Sequence, residues 1–264
     1  MPTDYQTLLV TSPEKHVMVV TLNRPERSNA INTQMGCDLR DLFTSLYVDA
    51  QDTRCIILTG AGEKAFCAGG DLKQRNEMSN ESWREQHAIF EQHVRAMMDC
   101  PVPVIAAVNG AAYGGGLEMA LTSDFIYASQ SARFALTETS LGIMPGAAGT
   151  QNLPRACGVR RAKEIIFTAE VFTAQEAFDW GIVNKVCDAE ALMPAALATA
   201  QRIASNAPLA IRQAKKAIGA AASLDFTSGY AFEIEAYNQL VPTRDRLEGI
   251  RAFNEKRKAE FTGE

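Results

Sequence analysis

Two glutamates beside glycine-rich turns are the residues of this chain whose types and spacing best suit catalysis. Glu118 follows a triple glycine by two residues in the segment 109–119, which then continues as a predicted helix. Glu138 lies twenty residues further along, just before a second turn rich in glycine and proline. Two carboxyl groups near one apolar pocket can divide general acid and general base duties when burial raises a pKa. The alternative is structural: Glu118 caps its helix or forms a salt bridge, and Glu138 is solvated.

The same glycines could bind an anion. A helix that begins near Gly115 presents free N–H groups and the positive end of its dipole, which suits a developing oxyanion. An oxyanion hole needs a second converging N–H, and the bend formed by Gly69, Gly70 and Asp71 could supply it. A triple glycine on its own is also a common packing device, so the pattern leaves both interpretations open.

Other catalytic patterns are incomplete or missing. Residues 59–72 match G-x-G-x-x-A after a strand, but that dinucleotide-binding motif should open a helix, and here it runs into Phe66, Cys67 and another glycine pair. An NAD-dependent oxidoreductase is therefore a remote alternative. The three histidines lack H-x-x-x-H spacing, and neither G-x-S-x-G nor a phosphate-binding loop occurs. We expect no metal site.

Apolar strands that alternate with amphipathic helices must position these groups. Helical spacing of apolar residues marks residues 33–49 and 81–99, and this alternation predicts an α/β fold with buried strands. Beyond residue 189 the chain is alanine-rich and strand signals disappear. We therefore predict a catalytic core over residues 1–195 and a helical region over 196–264. The predicted strands cover residues 17–22, 55–59, 102–108 and 125–128.

Composition narrows the class of protein. The chain has 264 residues, of which 47% are hydrophobic and 22% charged, with a net charge of −5. These values are typical of a globular protein. The chain contains no run of like charges, so we expect neither a nucleic acid nor a membrane partner. The six cysteines are widely spaced, which indicates reduced core thiols. With no export signal and no long apolar stretch, we expect a soluble, cytoplasmic protein.

Five segments carry a resemblance to a known family: LNRPERSNAIN (22–32), AFCAGGDLK (65–73), PVIAAVNGAAYGGGLEMAL (103–121), FALTETSLGIMPGAAGTQNLPRACG (134–158) and AFNEKRK (252–258). In this order they resemble the crotonase, or enoyl-CoA hydratase/isomerase, superfamily. The resemblance implies a spiral of ββα units with a C-terminal helical oligomerisation region, assembled as trimers that pair into hexamers. It also implies a lyase of fatty acid metabolism that acts on an acyl-CoA.

The resemblance also implies roles for individual residues. The N–H groups of Gly70 and Gly115 would form an oxyanion hole for a thioester carbonyl. Glu118 would act on the attacking water, and Glu138 would supply a proton to C2. Coenzyme A would be part of the substrate, so no separate cofactor is expected. The residues implied in substrate or CoA binding are Arg27, Ala30, Ala68, Asp71, Leu72 and Lys256, the last at a neighbouring subunit's phosphate.

The implied reaction is hydration of a short or branched 2-enoyl-CoA to a 3-hydroxyacyl-CoA. Thr137 stands where hydratases usually have proline, and GAAGT (146–150) replaces a more usual GAGGT or GGGGT, so acyl preference stays open. The tail from Val241 looks similar to methylglutaconyl-CoA hydratases, some of which bind RNA, but the acidic helix at 38–52 argues against RNA here. The alternatives are a methylglutaconyl-CoA hydratase, an isomerase or other enolate-based enzyme, and a noncatalytic acyl-CoA-binding protein. Glu118 argues against a pure isomerase.

Overall fold

Ten strands form two sheets in the part of the chain that the computed structural model describes, residues 5–264. The larger sheet has the order β1-β2-β3-β5-β7-β10 and the smaller one the order β4-β6-β8-β9. The strands are β1 (Leu8–Glu14), β2 (Val17–Leu22), β3 (Cys55–Gly60), β4 (Ala65–Cys67), β5 (Val104–Val108), β6 (Ala111–Tyr113), β7 (Phe125–Ser129), β8 (Arg133–Ala135), β9 (Phe172–Thr173) and β10 (Lys185–Cys187).

Helices follow most of the strands, and two short 3-10 turns, Pro25–Arg27 and Glu138–Leu141, interrupt the loops. The predicted α/β fold is thereby confirmed. The helices are α1 (Thr33–Val48), α2 (Leu72–Arg75), α3 (Asn80–Met98), α4 (Gly115–Thr122), α5 (Gly149–Thr168), α6 (Ala174–Asp179), α7 (Ala189–Ala204), α8 (Pro208–Ala221), α9 (Phe226–Asn238) and α10 (Arg244–Asn254).

The larger sheet is parallel except for β1, which pairs antiparallel with β2 at the edge. Every residue of β3 and β5 is buried, as the continuous apolar runs of these strands require when helices cover both faces. One face carries the main core, into which α1 inserts Leu39, Leu42 and Phe43. The sheet thus forms a rigid base beneath the smaller sheet.

Helix α7 covers the other face of the larger sheet. Its buried residues Leu192, Ala196, Ala200 and Ala204 recur every four positions and pack in a second core with Ile57 and other strand residues. Residue 195, where the sequence placed the boundary between core and helical region, lies inside this helix. The division at that residue stays a prediction.

The smaller sheet positions the site. Strands β4, β6 and β8 are parallel neighbours, so their carboxyl ends meet at one edge. β4 leads to Gly69 and Gly70, β6 to Gly114 and Gly115, and β8 to Glu138. Three segments that lie far apart in the sequence therefore meet at one edge of the smaller sheet.

The cysteines agree with the compositional expectation in part. All six cysteines are free, and four are buried, whereas Cys37 and Cys157 are only half-buried. None of the helices between residues 5 and 264 has the length and apolarity that a membrane crossing requires.

Candidate active site

A cavity of about 660 Å³ lies between the carboxyl edge of the smaller sheet, α3 and the loop before α5. Its walls include both predicted catalytic glutamates and both glycines of the predicted oxyanion hole. Ala68 and Leu72 of the predicted CoA-binding set also line it. The structure thus brings together residues 68–72, 114–118 and 138 in one place.

The bend at Gly69 and Gly70 lies against the start of α4. A Cβ built on Gly69 would lie 3.3 Å from the Gly115 nitrogen, and one built on Gly115 would lie 3.9 Å from the Gly70 nitrogen. Ile31 fixes the bend, since its N–H donates to Gly69 O over 2.7 Å and its carbonyl accepts from the Asp71 N–H over 2.9 Å. Two backbone amides from different segments are therefore held close together.

The N–H groups of Gly70 and Gly115 are both available to an external acceptor. Gly115 is the first residue of α4, where backbone N–H groups have no acceptor within the helix. Among the hydrogen bonds of residues 5–264, none has the Gly70 N–H as its donor. These two groups can therefore donate together to one oxygen atom in the cavity.

The triple glycine allows both close packing and the approach of a carboxylate. A Cβ on Gly116 would lie 2.1 Å from Cys67 O, so α4 can pack on β4 only because this position is glycine. Gly114 has φ +50° and ψ −125°, and a Cβ there would lie 2.8 Å from Glu138 Oε1. Close packing therefore explains the glycine at position 116, and the part of Gly115 in an oxyanion hole stays a prediction.

Glu118 is buried, with 3% of its surface exposed. Its Oε1 accepts hydrogen bonds from the N–H groups of Ala147 and Gly149, each over 2.8 Å. Burial raises the pKa of Glu118 to about 7, the nearby Glu138 carboxylate adds to the increase, and the backbone donors oppose it. Within residues 5–264 Glu118 forms no salt bridge, so its role as a surface ion-pair partner is excluded.

Glu138 opens the 3-10 turn that follows β8 and is 9% exposed, so the alternative that it is solvated is wrong. Its Oε2 is buried without a hydrogen-bond partner among the described residues. Burial raises the pKa of Glu138, while its own backbone N–H and the positive charge of Arg75 oppose the increase. Two carboxyls with raised pKa values and different hydrogen bonding therefore share one cavity.

Helix α3 supplies a wall that the sequence did not predict. Trp83, His87 and Phe90 line the cavity at helical spacing, and Arg75 at the end of α2 lies against them. The periodicity of α3 could have indicated that these residues share a face. Nothing local to α3 shows that this face turns toward the glycine bend.

Asp71 lies beside the cavity without lining it. It caps α2 by accepting from the Gln74 N–H, and it pairs with Arg24 over 3.0 Å, with both side chains largely buried. Burial acts to raise the pKa of Asp71, but the hydrogen bonds and charge of its partners outweigh it and lower the pKa. These two contacts thus fix Asp71, which directly follows Gly70.

The remaining predicted CoA-binding residues lie outside the cavity wall. Arg27 is exposed at the end of its 3-10 turn, Ala30 is buried behind it, and Lys256 is exposed just after α10. Their roles stay predictions. Within residues 5–264, no cluster of three His, Cys, Asp or Glu side chains could hold a metal ion.

Comparisons with known proteins agree with this geometry. Residues 12–264 match the model of the family described as enoyl-CoA hydratase/isomerase. The chain is 40% identical to a short-chain-enoyl-CoA hydratase of Clostridium acetobutylicum (96% of each chain covered) and 39% identical to a crotonyl-CoA hydratase of Syntrophomonas wolfei (97% and 98%). The crystal structure of an enoyl-CoA hydratase from Bacillus anthracis superposes with a TM-score of 0.96 at 44% identity, over 98% of this chain and 100% of the other. This chain therefore belongs to the enoyl-CoA hydratase/isomerase family.

Proposed function

We propose that the protein is an enoyl-CoA hydratase, which adds water across the 2,3 double bond of a short or branched 2-enoyl-CoA to give a 3-hydroxyacyl-CoA. The observation that carries this proposal is the placement of two buried carboxyls in the same cavity as two free backbone N–H groups. Relatives about 40% identical over nearly the whole chain, named as short-chain-enoyl-CoA and crotonyl-CoA hydratases, support the same reaction.

The two N–H groups polarise the substrate. The thioester oxygen accepts from Gly70 and Gly115, and the charge that develops on it as the enolate forms is stabilised by both donors. An oxyanion-hole donor of this kind typically contributes about 3–4 kcal/mol to lowering the barrier. Because Gly115 begins α4, the helix dipole adds to this stabilisation.

The two acids move the protons. Backbone donors fix Glu118 Oε1, so the other oxygen is free to accept a proton from the water that attacks C3. Glu138 Oε2 has no hydrogen-bond donor to stabilise a negative charge, which favours a protonated carboxyl that delivers its proton to C2. A pKa of about 7 suits Glu118 to proton transfer near neutral pH. A one-base isomerase would need only one of these carboxyls.

Coenzyme A enters as part of the substrate, and the proposal includes no separate cofactor. Ala68 and Leu72 line the cavity and would contact the pantetheine and adenine, with Arg27 and Ala30 bordering the nucleotide. We place the reaction in the cytoplasm and in fatty acid metabolism.

The assembly that we propose is a trimer, or two trimers paired as a hexamer, with Lys256 reaching a neighbouring subunit's phosphate. Exposed apolar side chains on the last three helices support it, since monomeric proteins rarely expose large contiguous apolar patches. The exposed residues include Ile218, Phe226, Tyr230, Tyr237, Ile250 and Phe253.

Light scattering at micromolar concentration should give three or six times the mass of the chain, and a monomer would contradict the proposal.

The function is tested by the absorbance of the conjugated enoyl thioester. With crotonyl-CoA, and then with tiglyl- and longer 2-enoyl-CoAs, the absorbance should fall as water adds, and mass spectrometry should show the 3-hydroxyacyl product. Conversion of a 3-enoyl-CoA to the 2-enoyl isomer without hydration would favour an isomerase instead. Binding of acyl-CoA esters with no turnover of any substrate would indicate a noncatalytic binding protein.

A further inference from the structure

Arg75 is a half-buried arginine on the wall of the cavity, and within residues 5–264 no carboxylate oxygen lies within 4.0 Å of its guanidinium. Burial lowers the pKa of Arg75, and the attraction of Glu138 offsets this only in part. Taking a cation out of water without a partner is unfavourable. A protein retains such a group at a site when a ligand supplies the counter-charge.

The guanidinium is held in place by its surroundings. It stacks on Trp83, with its central carbon 4.4 Å from the ring centroid, and its Nε donates to Gln86 Oε1 over 2.9 Å. Gln86 is itself buried and donates to Thr33 Oγ1 and Gln74 Oε1, each over 2.9 Å. The side chain is therefore preorganised rather than free to search for a partner in solvent.

The two terminal nitrogens of Arg75 are not used by the protein. Among the hydrogen bonds of the described residues, Arg75 donates only through Nε. Nη1 lies 3.2 Å from the position that a Cβ on Gly70 would occupy, so this nitrogen lies beside Gly70. An arginine fork with both terminal nitrogens free is suited to bidentate pairing with a carboxylate.

A second unsatisfied polar group lies on the same wall. His93 Nδ1 is buried without a hydrogen-bond partner, and burial lowers the pKa of His93 to about 4, so the ring is neutral. The ring centroid of Phe90 lies 5.3 Å from the Arg75 guanidinium carbon and 5.7 Å from the His93 ring centroid. This side of the cavity thus provides polar partners that a purely hydrocarbon acyl chain would not use.

We propose that Arg75 determines substrate specificity by pairing with a second carboxylate, carried on the acyl group of a short 2-enoyl thioester. This inference rests on the proposed function and narrows its substrate class. A short chain is required because Arg75 Nη1 lies beside Gly70, whose N–H would bind the thioester oxygen. The pairing also offsets the repulsion that Glu118 and Glu138 would exert on an anionic acyl group.

Binding of inert analogues tests this without any turnover. The ligands are glutaryl-CoA, butyryl-CoA, which lacks the second carboxylate, and free CoA, each measured by calorimetry. In Arg75→Gln the preference for glutaryl-CoA over butyryl-CoA should fall about 30-fold, because a hydrogen-bonded charge pair is lost. Arg84→Gln removes another arginine from the same cavity wall and should change this preference less than about threefold.

Several results would overturn the inference. Equal weakening of glutaryl-CoA, butyryl-CoA and free CoA in Arg75→Gln would mean that Arg75 binds the CoA moiety. An unchanged preference for glutaryl-CoA over butyryl-CoA in this variant would mean that Arg75 interacts with Glu138 and not with the acyl group. If the glutamine variant fails to fold, Arg75→Lys keeps the charge without the fork and should give an intermediate preference. Independently of any variant, the wild-type protein should bind glutaryl-CoA more tightly than butyryl-CoA, and weaker binding of glutaryl-CoA would contradict the inference.

Turnover measurements distinguish a failure of the specificity role of Arg75 from a failure of the proposed hydratase function, on which that role rests. Glutaconyl-CoA is crotonyl-CoA with a carboxylate on its terminal carbon, and the ratio of the two kcat/KM values should fall in Arg75→Gln as the binding preference does. Hydration of crotonyl-CoA with a ratio that Arg75→Gln leaves unchanged would refute the specificity role alone. Arg75-dependent binding of glutaryl-CoA without hydration of either substrate would refute the hydratase and keep the carboxylate site.

Discussion

Glu118 and Glu138 face one cavity but are held differently: two backbone N–H groups donate to Oε1 of Glu118, whereas Oε2 of Glu138 has no donor. Each carboxylate raises the free energy of charging the other, and burial strengthens this repulsion. The pair therefore favours a state in which one carboxyl carries a proton and the other does not. This is the combination that an addition of water requires.

Replacing either acid should abolish most of the activity. Glu118→Gln and Glu138→Gln should each lower kcat for crotonyl-CoA by about 10²–10⁴-fold, since neither amide can exchange the proton. Glu91→Gln is the control, because it removes an exposed carboxylate from the same cavity wall. Circular dichroism should show that all three variants are folded. Full activity in both Glu118→Gln and Glu138→Gln would refute the mechanism.

The stability of the protein should report the raised pKa of Glu118. The unfolded carboxyl ionises near its ordinary pKa of 4.5, whereas the folded one holds its proton until about pH 7. Between these values the folded state binds more protons, so this contribution to stability is full below pH 4.5 and is lost as the pH rises through 7. Glu118→Gln lacks this loss. The difference between its free energy of unfolding and that of the wild type should grow in favour of the variant from pH 5 to pH 8, by at most about 3 kcal/mol.

Urea unfolding of both proteins at pH 5, 6, 7 and 8 measures this difference. Glu91→Gln, which alters an exposed group, should show no comparable trend. A constant difference between Glu118→Gln and the wild type across the series would mean that Glu118 ionises normally in the folded protein.

Gly114 should tolerate no side chain. Gly114→Ala places a methyl group 2.8 Å from Glu138 Oε1 and forces a backbone conformation with positive φ on alanine. We expect a loss of about 2–4 kcal/mol in stability together with a fall in kcat, because Glu138 must move. Gly158→Ala is the matched control, since φ is +79° there and nothing lies within 4 Å of the new methyl group.

The comparison separates backbone strain from displacement of the carboxylate. Gly158→Ala should lose stability but retain kcat at a temperature where it is folded. Equal kcat values in the two alanine variants would show that the contact between Gly114 and Glu138 has no catalytic consequence.

The ion pair between Arg24 and Asp71 should support the oxyanion hole through Gly70. Arg24→Met leaves a largely buried carboxylate unpaired, which should lower stability by about 3 kcal/mol. Adding Asp71→Asn removes that charge and should recover part of the loss. The exposed pair Arg40–Asp41 provides the control, and Arg40→Met should change stability by less than about 1 kcal/mol.

The kcat of Arg24→Met tests whether this ion pair also positions Gly70, which stability alone does not report. At a temperature where Arg24→Met is folded, kcat should fall more than the affinity for an acyl-CoA product, because the position of one N–H donor changes. If kcat is unaffected, the ion pair stabilises the fold without positioning Gly70.

Much of the local structure followed from the sequence. The strands at Val17 and Cys55 and the helix that begins at Gly115 were predicted correctly, because apolar periodicity and glycine act over a few residues. The catalytic roles of Glu118 and Glu138 stay predictions. The edge strand β1 and the short strands of the smaller sheet were missed. Three-residue strands carry too little pattern to be detected, and only pairing with their neighbours defines them.

How these groups act depends on their arrangement in the folded chain. The parallel pairing of β4, β6 and β8 brings Gly70, Gly115 and Glu138 to one edge, although they lie far apart in the sequence. Burial in that place raises the pKa of Glu118 to about 7, and stacking on Trp83 of α3 holds Arg75 beside Gly70. The sequence determines which groups are available, since their chemistry is intrinsic. Their distances and their exclusion from water come from long-range packing, which no local pattern contains.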